Sequence, residues 1–303
     1  MVTLKKIREL DLAAPSRPGR PLHLSAASAL VVVKSFQYVV ADDELHLGVF
    51  PAHGTAPGWL FRMFEGDLPK DKSDRKKVKP DLEALVLLPS FSSLEHGALL
   101  AIGSGSRGNR MQGVLLALDQ HGAMQGEPRL IDLSPLFVAI KKHVGDLNIE
   151  GAVVTGDRFV LLQRGNKGGG LNALITMSLN DVLAALGAGH SIASVPFDVR
   201  TYELGSIDAV PLCFTDGAVL PDGRIVFLVV VEDMDNSYSD GPCAGAAVGV
   251  LGSDGYLQNV ERLVPGAKAE GIAAHVEGGH IQLQLVTDAD DYKVPASLYA
   301  AQM

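Results

Sequence analysis

Cysteine is scarce: Cys213 and Cys243 are the two in 303 residues. That excludes a disulfide scaffold and fits free thiols in a reducing compartment. Long apolar runs are also missing. Nothing approaches the roughly 18 residues of a membrane span, so no membrane partner is expected. The opening MVTLKKIREL has no continuous apolar segment before Pro15, which reads as a chain without a signal peptide. The expected compartment is the cytoplasm, or the periplasm if a leader has been removed. Excess positive charge is lacking too. A net charge of −9 and a pI near 5.4 argue against general binding to nucleic acid. No G-x-S-x-G, H-E-x-x-H or C-x-x-C occurs. The glycine-rich GSGSRGN (103–109) and RGNKGGG (164–170) neither match a P-loop nor open a helix in a βαβ unit, so they read as turns.

What is present is apolar and finely punctuated. Hydrophobic residues make up 47% and charged residues 20%, enough for a sizeable core, and 33 glycines point to many tight turns. Residues 147–166, LNIEGAVVTGDRFVLLQRGN, show the unit that recurs. An acidic residue and glycine, Glu150-Gly151, open a short apolar strand. A turn at Gly156-Asp157 leads to a second apolar strand ending at a charged tip, Arg164-Gly165-Asn166.

Variants of this unit start near Ser28, Glu83, Glu150, Asp216 and Glu270, at intervals of 55, 67, 66 and 54 residues. Each restart is followed by short strands: 28–33, 36–41, 45–50 and 58–68 in the first set, and 83–89, 98–110, 113–119 and 128–133 in the second. The third has 152–155, 158–163, 173–179 and 197–204, and the fourth has 213–223, 224–235, 246–255 and 257–264. The fifth, 268–279, 280–291 and 296–302, is one strand short. Residues 3–12 form an orphan strand that can supply it. Short helices are expected over 134–146, with Ser134 as cap and Pro135 in the first turn, and over 180–186. PKDKSDRKKVKPD (69–81) reads as a long basic loop.

Such radial repetition predicts an all-β fold, a single domain over 1–303: a five-bladed β-propeller closed by the N-terminal strand completing the last blade. A six-bladed ring is the alternative if the helical insertions hide strands, and a pair of β-sandwiches is a further one. Closure between the termini removes two exposed sheet edges.

The NIEG…L-x-R-G pattern of the third unit, and AEGIAAHVEGGHIQLQLVTDADD in the last, resemble the phytase-like esterase propellers and related bacterial families of unassigned function. The resemblance implies an acidic-Gly pair on the inner strand and a charged residue ending the next.

Antiparallel strands bring the entry to each first strand and the tip of each second strand to one face. There Glu83, Glu150, Asp216 and Glu270 should ring the axis, with His46, Arg107, Arg110, Gln163, Arg164, Asp233 and Asp288 one layer out. Crowded carboxylates can be relieved by protons, by arginines or by a hard cation such as Ca²⁺. DMDNSYSD (233–240) has a D-x-D-x-S start but lacks the glycine and glutamate of a full calcium loop. A carboxylate opening an inner strand can also accept N–H bonds from the next blade and merely brace the ring.

Two functions follow. In the first, a non-enzymatic propeller binds a small anionic or sugar-like ligand through Glu83, Arg110, Asp216, Glu270, Gln163 and His46, with a protein partner at the rim as a variant. In the second, a metal-dependent hydrolase of phosphoesters or carboxylic esters holds its cation with Glu150, Glu270, Asp233 and Asp288. Glu150, Arg164 and Arg107 then serve catalysis.

Overall fold

Five inner strands stand side by side around an axis: Ala27–Val33, Leu82–Leu88, Ile149–Thr155, Cys213–Val219 and Ala269–Glu277. In this computed structural model each begins a blade of four antiparallel strands, to which the fourth adds a short parallel strand, and the blades form a five-bladed β-propeller. The structure describes residues 1–166, 169–189, 191–192, 195–232 and 243–303.

The near-continuous apolar character of the strands has a direct cause: each blade is covered on both faces by its neighbours. In Ile225–Glu232, Val226, Leu228 and Val230 point into the core shared with blade 5. Phe227, Val229 and Val231 point into the core shared with blade 3. The five buried clusters correspond to the five blade-to-blade interfaces.

Closure is shared between two blades. Lys5–Glu9 pairs antiparallel with Ser297–Gln302 and completes blade 5. Just before it, Val2–Thr3 pairs parallel with the outer strand of blade 4, Val2 opposite Leu263. The single strand expected over 3–12 is thus two, stitched to different sheets.

The basic segment is not an open loop. Lys72–Val78 is a helix, α1, capped by Asp71, whose side chain accepts from the Asp74 N–H. Its charges hid the helix because its packing partners are carboxylates and an aromatic ring rather than an apolar core. Two further helices, α2 (Ser134–Val144) and α3 (Leu179–Ala188), fall where expected and cover the interface of blades 2 and 3. A small hairpin, Ser206–Ile207 with Val210–Pro211, was not foreseen. Its turn uses Asp208 and Ala209 at positive φ, a weak signal without glycine or asparagine. Among the described residues no helix is long and apolar enough to cross a membrane.

Candidate functional site

Every inner strand carries a β-bulge close to its start. In blades 1, 2, 3 and 5 the residue skipped in the pairing is Ser28, Glu83, Glu150 or Glu270. In blade 4 the irregularity spans Thr215-Asp216. A bulge re-aims its side chain, so the recurring acidic residue leaves the inter-blade core and faces the axial mouth.

The small residue that follows lets the next blade approach. A Cβ on Gly151 would lie 3.0 Å from Asp216 Cα, and one on Gly271 would lie 2.7 Å from Ala29 Cα. The acidic-Gly pair is therefore one device: an aimed carboxylate next to a close contact between blades.

The mouth encloses a cavity of about 110 Å³, into which Glu83, Glu150 and Glu270 project with Asp42, Asp81 and Asp288. Each of the three glutamates offers an oxygen within 4.8 Å of the other two. Cations are interleaved. Arg164 Nη1 is 3.4 Å from Glu150 Oε2, and Lys268 Nζ is 3.2 Å from Glu270 Oε1 and 2.9 Å from Asp290 Oδ1. Asp81 takes Arg110 Nη1 at 2.6 Å, Lys79 Nζ at 2.7 Å and the Ser104 hydroxyl at 2.6 Å. Lys79 also pairs with Asp42.

Burial and neighbouring charge set the protonation. Burial alone would raise the Asp81 carboxyl, but Lys79 and Arg110 overcome it and hold the group below the usual range. Asp42 is pushed up to about 6 by burial, which Lys79 does not offset with Asp43 and Asp81 alongside. Burial, then repulsion from Asp81, Glu150 and Asp42, drives Glu83 well above its ordinary value. Burial lifts Asp288 likewise, in spite of Lys268 at 3.6 Å.

The positions expected from the sequence separate into groups. Glu83, Glu150, Glu270, Arg110, Arg164 and Asp288 meet in the cavity. Asp216 does not line it: its buried carboxylate accepts from the Gly217 N–H at 2.8 Å and from the Ile272 N–H of blade 5 at 3.0 Å. That is the bracing role foreseen for such a carboxylate.

Gln163 is fully buried behind the wall, accepting from the Asn148 N–H and donating to the Asp146 and Arg164 carbonyls. It positions the loop that presents Asn148 and Arg164. Arg107 is exposed and outside the cavity. His46 lies in a side crevice, 3.5 Å from Glu44, which Arg20 clamps at 2.6 Å. Asp233, with the rest of DMDNSYSD, lies outside the described residues.

Sequence reasoning missed Asp81, Asn148 and Lys268. Each lies two positions before its blade's bulged glutamate, just ahead of the inner strand, and lines the same cavity. That spacing was present in D-L-E, N-I-E and K-A-E. Tyr292 was missed as well. It forms part of the rim, with the Arg75 guanidinium of α1 at 5.7 Å and Arg20 at 5.7 Å over its ring. Lys72 Nζ ties α1 to the Asp290 carbonyl at 2.8 Å. The other end of the axis is unlike this mouth: a funnel of about 530 Å³ lined mainly by Val, Leu, Ile and Ala of the inner strands.

Among solved structures, the chain is similar to a glutaminyl cyclase of Myxococcus xanthus, at 13% identity and a TM-score of 0.45 over 99% of this chain and 97% of that one. It is also similar to an α-L-arabinanase of Penicillium chrysogenum complexed with arabinobiose, at 7% identity and a TM-score of 0.48 over 98% of both. The likeness stops at the fold. No curated protein matches the chain. Residues 23–303, all five inner strands included, match the family of unknown function DUF6929, and the chain belongs to that family.

Proposed function

We propose that the charged mouth binds a small anionic or sugar-like ligand. The observation that carries this reading is the convergence of carboxylates and cations from four blades on one axial cavity. Arg164 and Lys268 can donate to ligand phosphate or carboxylate oxygens, and Glu150 and Glu270 can accept from hydroxyls. Tyr292 at the rim offers an apolar face, and α1 shields one side of the mouth.

A thermal-shift screen with phosphorylated sugars, neutral sugars and carboxylates tests the proposal. A binder at 100 times its Kd should stabilise the protein by about 2.7 kcal/mol and remain unconsumed. Glu150→Gln should weaken that binder tenfold or more while shifting the melting temperature little. If no compound in the three classes moves the melting temperature, the reading fails. If Glu150→Gln lowers the melting temperature and leaves binding intact, Glu150 is a brace like Asp216.

The placement of Glu83 against Glu150 favours a second reading, hydrolysis of phosphoesters or carboxylic esters. Glu150 accepts from the Asn148 amide and lies 3.4 Å from Arg164 Nη1. Glu83, within 4.8 Å, has no such donor, a setting that favours the acid. Two carboxyls in opposed settings are what acid and base roles require. A phosphatase and esterase panel, run with and without added Ca²⁺, decides it, and absence of turnover in both conditions eliminates this reading.

A further inference from the structure

The floor of the mouth carries more negative than positive charge. Asp42, Asp81, Glu83, Glu150, Glu270 and Asp288 face Lys79, Arg110, Arg164 and Lys268. The excess is not spread evenly. Glu150 has Arg164 and the Asn148 amide, and Glu270 has Lys268.

Glu83 stands apart. It is only 9% exposed, it faces the other two glutamates within 4.8 Å, and among the described residues its carboxyl makes no hydrogen bond. Buried polar groups nearly always find a partner, and one that does not needs a reason. With two more carboxylates alongside and only the charge of Lys79 to offset them, this carboxyl sits where a further positive charge would relieve the repulsion.

We infer that Glu83, Glu150 and Glu270 form a divalent-cation site on the propeller axis, and that calcium is the ion it suits. The three bulges of blades 2, 3 and 5 supply one ligand each, so the site exists only when the ring is closed. All the ligands are hard carboxylate oxygens, which selects calcium or magnesium over zinc, whose sites rely on nitrogen and sulfur. Calcium–oxygen bonds of about 2.3–2.6 Å span oxygens up to about 5 Å apart, whereas magnesium at about 2.0–2.1 Å spans only about 4.2 Å. The three glutamate oxygens, all within 4.8 Å of one another, fit inside the calcium span. A set of three carboxylates suits calcium's flexible shell of oxygens better than magnesium, which keeps several waters and is held by only one or two carboxylates. Asn148 Nδ2, donating to Glu150 Oε1, orients a ligand from behind. The set differs from the one expected from the sequence: Glu83 joins Glu150 and Glu270.

The site requires neither a bound organic ligand nor turnover, so its test uses the ion alone. The full chain is treated with a chelator, exchanged into metal-free buffer and titrated with calcium chloride by calorimetry, with melting curves in parallel. One equivalent of calcium should bind, and saturation should raise the melting temperature by several degrees. In Glu83→Gln the neutral amide relieves repulsion, so the metal-free variant should melt at or above the metal-free wild type. Its calcium affinity should fall about 100-fold and the calcium-dependent rise should vanish. Asp222→Asn, at an exposed turn, should respond to calcium as the wild type does. The inference is overturned by no heat and no shift in the wild type, by an equal response in Glu83→Gln, or by tighter binding of magnesium than calcium.

Discussion

Glu44 shows how a single carboxylate can be held by its surroundings rather than by its own chemistry. Burial works against its ionisation. The His46 ring, the Arg20 guanidinium and the Ser16 hydroxyl more than compensate, and its acidity ends below the ordinary range. A depressed carboxyl contributes stability that is present above its unfolded value and lost as the pH falls through its folded value. The wild type should therefore lose part of its stability between about pH 5 and pH 3, the range around and below the free glutamate value of about 4.3. Glu44→Gln should be less stable at pH 7 by about 1–3 kcal/mol, the cost of leaving Arg20 with only Asp43. Its stability should also fall less steeply over that acid window. Denaturant midpoints of the two proteins at pH 7, 5 and 3 check both statements, and parallel curves would refute them.

At the scale of the element, the bulged inner strand joins stability to the site. Its acidic residue faces the mouth because the bulge turns it there, and its glycine admits the neighbouring blade. Gly271→Ala puts a methyl group against the Ala29 backbone at 2.7 Å, a contact that a flexible side chain cannot relieve. Overpacking of this kind costs about 1–3 kcal/mol. A drop of that size in unfolding free energy is expected, and a neutral result would mean that the two strands separate without penalty. Much of this element was legible beforehand. Glu-Gly at 150–151 and 270–271 marked strand starts, and the second strand of the third unit, 158–163, coincides with the observed one. What was not legible was the pairing register. A bulge depends on which partner residue is skipped, and that lies on another strand.

At the scale of the molecule, the ring is closed by its first nine residues. Val2–Thr3 holds blade 4 and Lys5–Glu9 holds blade 5. Deleting residues 2–9 leaves the edge of Ser297–Gln302 unpaired and strips Val2 and Leu4 from the core between those blades. The deletion should lower the melting temperature by more than about 10 °C, equivalent to several kcal/mol, and should promote association through the bare edge. Melting curves and size-exclusion profiles test this, and a monomer melting as the full chain does would show that the closure is dispensable.

By itself the sequence determined most of the strands, their grouping into five and the blade-completing N-terminus. These follow from alternation, turn residues and the recurrence of one unit, all of which are local. It also marked the glutamates as facing one end, since their position in the repeat is constant. Only the tertiary structure decided which of them share a cavity. Asp216 and Glu150 occupy equivalent places in the repeat, yet Asp216 turns its carboxylate to the Ile272 N–H and Glu150 enters the mouth beside Arg164. It likewise brought Lys79, Tyr292 and α1 to the same mouth from connecting segments. The physical reason is distance along the chain. Partners such as Lys72 and the Asp290 carbonyl, far apart in the chain, are set by ring closure, and no local pattern encodes which groups will meet at the mouth.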